Sequence, residues 1–76
     1  MAGWLSGIDP ADVLHVDIVR MELRGRPSCV AAADLRLFLR DGETALARVD
    51  YEHAPMYETF RDEIAAFNRW RLRQRG

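Results

Sequence analysis

Ser28-Cys29-Val30-Ala31-Ala32-Ala33-Asp34-Leu35-Arg36-Leu37-Phe38-Leu39-Arg40-Asp41-Gly42-Glu43-Thr44-Ala45-Leu46-Ala47-Arg48-Val49-Asp50-Tyr51 is the stretch that decides the fold. Its odd positions Cys29, Ala31, Ala33, Leu35, Leu37 and Leu39 are all apolar, whereas Ser28, Asp34, Arg36 and Arg40 fall among the even ones. A period of two sends alternate side chains to opposite faces, so the first half is a strand with one apolar face. Beyond Asp41-Gly42 the alternation resumes, with Ala45, Ala47, Val49 and Tyr51 against Thr44, Leu46, Arg48 and Asp50. A two-residue Asp41-Gly42 loop would set Leu35 opposite Arg48 and mix the faces. A three-residue loop, Arg40-Asp41-Gly42 with Gly42 in the left-handed region, pairs Leu37 with Ala45, Leu35 with Ala47 and Asp34 with Arg48. The competing all-α reading, in which Ser28 caps a helix over 28–39 that Gly42 ends, does not use this alternation.

Upstream, Val13, Leu14, Val16, Ile18, Val19, Met21 and Leu23 would spread around a whole helical wheel, and β-branched residues suit a strand. Their apolar parity is even through Leu14, Val16 and Ile18, then odd through Val19, Met21 and Leu23. A β-bulge near Ile18-Val19 produces that switch. Gly25-Arg26-Pro27 reads as the turn between the first two strands, because proline cannot donate to a ladder. Before them, Asp9-Pro10-Ala11-Asp12 carries a helix-start signature, Asp as cap and Pro at the first position, with room for one short turn.

Downstream of Ala54-Pro55 the period becomes helical. Met56, Phe60, Ile64 and Phe67 form a stripe flanked by Tyr57 and Trp70, placed to cover the odd-numbered sheet face, where Ala31, Ala33, Ala45 and Ala47 permit close packing. The expectation is an α+β fold, a three-stranded antiparallel meander followed by one C-terminal helix (βββα). Its 76 residues form one small domain, with an N-terminal segment 1–8 and an arginine-rich helix end at 69–76.

Two surfaces then look unfinished. The even-numbered face carries Leu14, Val16, Ile18, Val30, Ala32, Phe38 and Leu46, and an apolar patch of that kind marks a contact surface. Either Trp4, Leu5 and Ile8 fold back over it, or a second copy or another protein covers it, with Val16, Ile18, Val30, Phe38 and Leu46 as contact residues. A strand edge also stays open to pairing across copies. The second surface is the helix end. Residues 1–68 hold seven Arg against twelve Asp and Glu, while 69–76 hold four Arg and no acid. Arg69, Arg71, Arg73 and Arg75 around Trp70 complement the helix macrodipole, and they equally fit an acidic protein surface. Phosphates of a nucleic acid are the second choice for them, since the acidic body repels a duplex.

Chemistry is sparse. His15 and Asp17, and Asp50, Glu52 and His53, lack a metal-site spacing. A nucleophilic Cys29 would need an exposed, activated thiolate, yet it falls on the core-facing parity, and without a second cysteine it forms no internal disulfide. Tyr51, Tyr57 and Glu58 have structural uses in the core and the first helical turn, and the five glycines are isolated. The sequence therefore assigns no catalytic residue, no cofactor and no metal. The N-terminus lacks a signal-peptide pattern, no stretch is long and apolar enough for a bilayer, and the lone cysteine suits a reducing cytoplasm. A small core in so short a chain favours association. The expected role is that of a small cytoplasmic accessory or adaptor protein, with a nucleic-acid-binding regulator as the alternative.

Overall fold

Asp9 opens the architecture as its sequence pattern requires: its Oδ1 accepts a hydrogen bond from the Ala11 N–H at 3.0 Å, and Pro10 takes the first position of a single 3₁₀ turn, Pro10–Asp12. A computed structural model describes residue 5 and residues 7–74. From that turn the chain runs into β1 (Val13–Arg24), β2 (Cys29–Leu39), β3 (Thr44–Asp50) and the helix α1 (Tyr57–Gln74). The sheet is antiparallel in the order β1-β2-β3, which gives the α+β, βββα arrangement.

The loop between β2 and β3 has three residues. Leu37 pairs with Ala45, Leu35 with Ala47 and Asp34 with Arg48, and the Leu39 N–H donates to the Glu43 carbonyl at 2.9 Å to close the hairpin. Gly42 sits at φ +90°, the left-handed region that a side chain resists. In β1 a register shift lies between Ile18 and Arg20, where the parity switch demanded a bulge. Two further shifts lie between Val13 and His15, where the buried parity passes from Val13 to Val16, and between Glu22 and Leu23.

Those shifts decide which side chains share a face. Residues directly opposite in a ladder lie on the same side of the sheet, and Val16 faces Leu37, Ile18 faces Leu35 and Met21 faces Ala33. Even positions of β1 therefore lie with odd positions of β2, under the helix. At the third shift Glu22 and Leu23 are neighbours while their partners, Ala32 and Val30, are two apart, so Ala31 is left over and the parity of β2 itself reverses. Val30 thus turns inward and is fully buried, whereas Cys29, expected in the core, pairs with Arg24 and is only half-buried.

One buried cluster results. Val13, Val16, Val30, Ala33, Leu35, Leu37, Ala47, Phe60, Ile64 and Leu5 form it, with Ile8, Ile18, Met21, Leu39, Ala45, Val49, Tyr51 and Phe67 packed around it. Leu5 and Ile8 thus fold onto the helix-side core, not onto the opposite sheet face, and Trp4 lies outside the described residues. The helical stripe holds at Phe60, Ile64 and Phe67, but Met56 leaves it. Backbone geometry is the reason: Val30 N–H donates to the Pro55 carbonyl at 2.7 Å and Tyr57 N–H to the Ser28 carbonyl at 3.0 Å, which makes Met56 a bridge to Cys29 before the helix starts.

Tyr51 stands edge-on to Phe60, ring centroids 6.0 Å apart. Burial raises its phenol above the usual range, and the charge of Glu63 adds to the rise. The folded state therefore keeps the Tyr51 proton at a pH where the unfolded chain, titrating near about 10, has lost it. The associated stability is fully present below that pH and is lost as pH climbs through it toward the folded value. Urea midpoints measured from pH 8 to 11 should fall more steeply for the wild type than for Tyr51→Phe; parallel curves would refute this origin.

Candidate protein-interaction surface

The two edges of the sheet are finished differently. β1 carries two of the three register shifts, at Leu14 and Val19, and α1 reaches over its free edge: Asn68 accepts from the Val16 N–H at 2.9 Å and donates to the Val16 carbonyl at 3.1 Å. One turn later Arg71 donates from Nε to the Val13 carbonyl at 2.9 Å and from an Nη to the Ala11 carbonyl at 3.1 Å. At the start of β1 a side-chain amide and a guanidinium thus take the place a neighbouring strand would fill. β3 has none of this. It runs from Thr44 to Asp50 with no register shift, and among the described residues no strand pairs with its outer edge. The helix packs on β1 and, to a smaller extent, β2, and has little contact with β3.

The sheet face away from the helix is charged, not apolar. Arg48 on β3 contacts Asp34 at 3.2 Å, Glu22 at 3.1 Å and Asp50 at 3.4 Å, while Arg20 meets Glu22 at 3.2 Å. The hydrogen bond that Arg48 donates to Asp34 and the charge of Asp50 hold the Arg48 guanidinium protonated beyond its already high range. His15 joins Asp17 at 2.9 Å and tilts over Phe38, ring centroids 5.9 Å apart. Each exposed pair contributes little on its own, but together these groups leave no room for a continuous apolar patch.

Of the five residues expected to build that patch, Val16 and Val30 are core, Ile18 packs against the core, Phe38 is half-buried beside His15, and Leu46 alone stands free. Leu46 is 75% exposed, the highest value for a large apolar side chain among the described residues, and it sits near the middle of the open strand. The arginine-rich end divides as well. Arg69 and Arg73 are exposed, Trp70 is 39% exposed and tilted on Phe67 at 5.6 Å, and Arg75 lies outside the described residues. Arg71 is only 8% exposed, so it serves the fold and is not presented to a partner.

A cleft of about 340 Å³ is lined by Ile8, Asp12, Leu39, Arg40 and Asp41, but Arg40 donates to the Ala11 carbonyl at 3.0 Å and Asp41 accepts from the Glu43 N–H at 2.9 Å, so both shape the neighbouring turns. Among the described residues no three His, Cys, Asp or Glu side chains stand where they could share a metal ion. Nor is any described helix long and apolar enough to cross a membrane, a fact that says nothing about membrane β-barrels. Compared with known proteins, the chain matches no family model, no curated sequence and no solved structure. Among the described residues the outer edge of β3 is without a strand partner, and an open edge of that kind can pair with another extended backbone.

Proposed function

We propose that this protein is a non-enzymatic accessory or adaptor protein that works by binding a protein chain along the open edge of β3. The observation that carries this reading is the contrast between the edges: bulges and two side-chain clamps finish β1, while β3 is regular and presents Leu46 beside unpaired backbone groups. Folded proteins blunt the edges they do not use. Arg69 and Arg73, exposed around Trp70, supply a second, weaker contact for an acidic surface on the same partner. Nucleic acid fits less well, because Arg71 is spent on backbone carbonyls and Arg20 and Arg48 on carboxylates. The lone Cys29 is at home in a reducing cytoplasm, where we place the protein.

The test is a capture experiment with the tagged full chain and its Leu46→Lys variant. Leu46 projects from the outer face, so lysine there leaves the ladder to β2 intact, and circular dichroism checks that the variant folds. Wild type should retain a protein, its own copy included, that the variant loses at least about tenfold, the order expected for blocking an edge contact. Identical retention by both would refute the reading.

A further inference from the structure

We propose that the strand β3 binds is β3 of a second copy, in an antiparallel two-fold arrangement centred on Ala47. This rests on the reading of β3 as a contact edge and adds to it the occupant and the register. Leu39 N–H donates to the Glu43 carbonyl and Tyr51 N–H to the Ala31 carbonyl, both at 2.9 Å, and both pairs follow the register that sets Leu35 opposite Ala47. Odd residues of β3 therefore spend their backbone groups on β2, and those of Thr44, Leu46, Arg48 and Asp50 point outward.

An antiparallel match of two such edges must set even residues against even ones. Centred on Ala47, it places Thr44 opposite Asp50 of the second copy and Leu46 opposite Arg48 of the second copy, and the same contacts recur by symmetry. All four outward residues then pair, for about eight hydrogen bonds at two per hydrogen-bonded pair. Shifted to a centre at Arg48, the match opposes Arg48 to itself and loses one pair. Shifted to Leu46 it also loses one pair and leaves Asp50 beyond the overlap. The Ala47 register alone uses the whole strand with no like charges face to face. It also lets Leu46 lie along the aliphatic stem of an Arg48 whose charge Asp34, Glu22 and Asp50 already answer. On the helix side it sets Ala45 opposite Val49, both half-buried in the single chain, so the apolar layer continues from copy to copy.

Sedimentation equilibrium of the full chain over a wide concentration range tests this, with Leu46→Lys, Thr44→Asp and Thr44→Arg. The expected result is a reversible dimer. Thr44→Asp, opposite Asp50, should weaken it roughly three- to tenfold and Thr44→Arg should tighten it by a similar factor, the range for two symmetric cross-strand charge contacts. Leu46→Lys should be largely monomeric. Reversed signs at position 44 would mean that it faces Arg48, as in the register centred on Leu46, and would overturn the one proposed. A wild-type dimer indifferent to Leu46→Lys, or a monomer at every concentration, would overturn pairing with a second copy. In that last case the broader reading of the β3 edge stands if the capture experiment still separates wild type from Leu46→Lys, and falls with this one if it does not.

Discussion

Phe60→Ala should cost the fold about 3–5 kcal/mol of its stability. Phe60 has no exposed surface, belongs to the buried cluster and meets the edge of Tyr51. Removing a buried phenylalanine ring costs about 3–5 kcal/mol, through lost transfer free energy and the cavity left behind. The walls here cannot close the hole cheaply, because β2 is itself fully buried at Val30, Leu35 and Leu37. At roughly 0.05–0.15 kcal/mol per residue, a chain of this length holds about 4–11 kcal/mol in total, so the loss takes a large share of it or all of it. Denaturant unfolding followed by circular dichroism reads the effect. Leu72→Ala, on the same helix but 60% exposed, should stay within about 0.5 kcal/mol of wild type. Comparable losses at the two positions would mean that the core is not organised around Phe60.

The ease of reading Phe60 and the difficulty of reading the rest have one physical origin. Positions in β2, β3 and α1 are fixed by local periods and a three-residue hairpin, and local alternation is enough to find Leu35, Leu37, Ala47, Phe60 and Ile64. The face on which Val16, Ile18 and Val30 lie is not a local property. It depends on how many residues the shifts near Leu14, Val19 and Ala31 remove from pairing; the first two fall in β1, and the third reverses β2 instead. Once the even positions of β1 are matched to the even positions of β2, an apolar outer face follows, although the true partners Val16 and Leu37 differ in parity. The outer face did leave a signal of its own. His15, Asp17, Arg20 and Glu22 alternate with apolar residues along β1, just as Asp34, Arg36, Arg48 and Asp50 do along β2 and β3. Opposite charges at those spacings describe a solvated ladder.

Arg71 is the second place where a sequence pattern misleads, and its replacement carries the other large effect. Four arginines at alternate positions look equivalent, yet α1 turns by about 100° per residue, which brings 60, 64, 68 and 71 onto one face while 69 and 73 point away. At that end of the stripe the neighbour is the edge of β1, which offers carbonyl groups in place of apolar side chains. A guanidinium and an amide are the side chains that can satisfy it. Arg71→Ala should destabilise the fold by about 2–4 kcal/mol, since it removes two charge-assisted hydrogen bonds and leaves the Val13 carbonyl, on a residue with no exposed surface, without that donor. Arg71→Met, which keeps the aliphatic bulk, should recover only the packing share of that loss. Asn68→Ala should cost less, about 1–2 kcal/mol, because both of its hydrogen bonds are neutral. Salt separates this role from the one its neighbours suggest. Bonds to carbonyls respond weakly to ionic strength, so the Arg71→Ala loss should be nearly the same at 0.05 and 0.5 M salt, whereas an arginine acting on an acidic surface would show an effect that fades with salt. Urea midpoints at the two ionic strengths decide the matter: a loss that vanishes at high salt, or no loss at all, would return Arg71 to the solvent-facing set with Arg69 and Arg73.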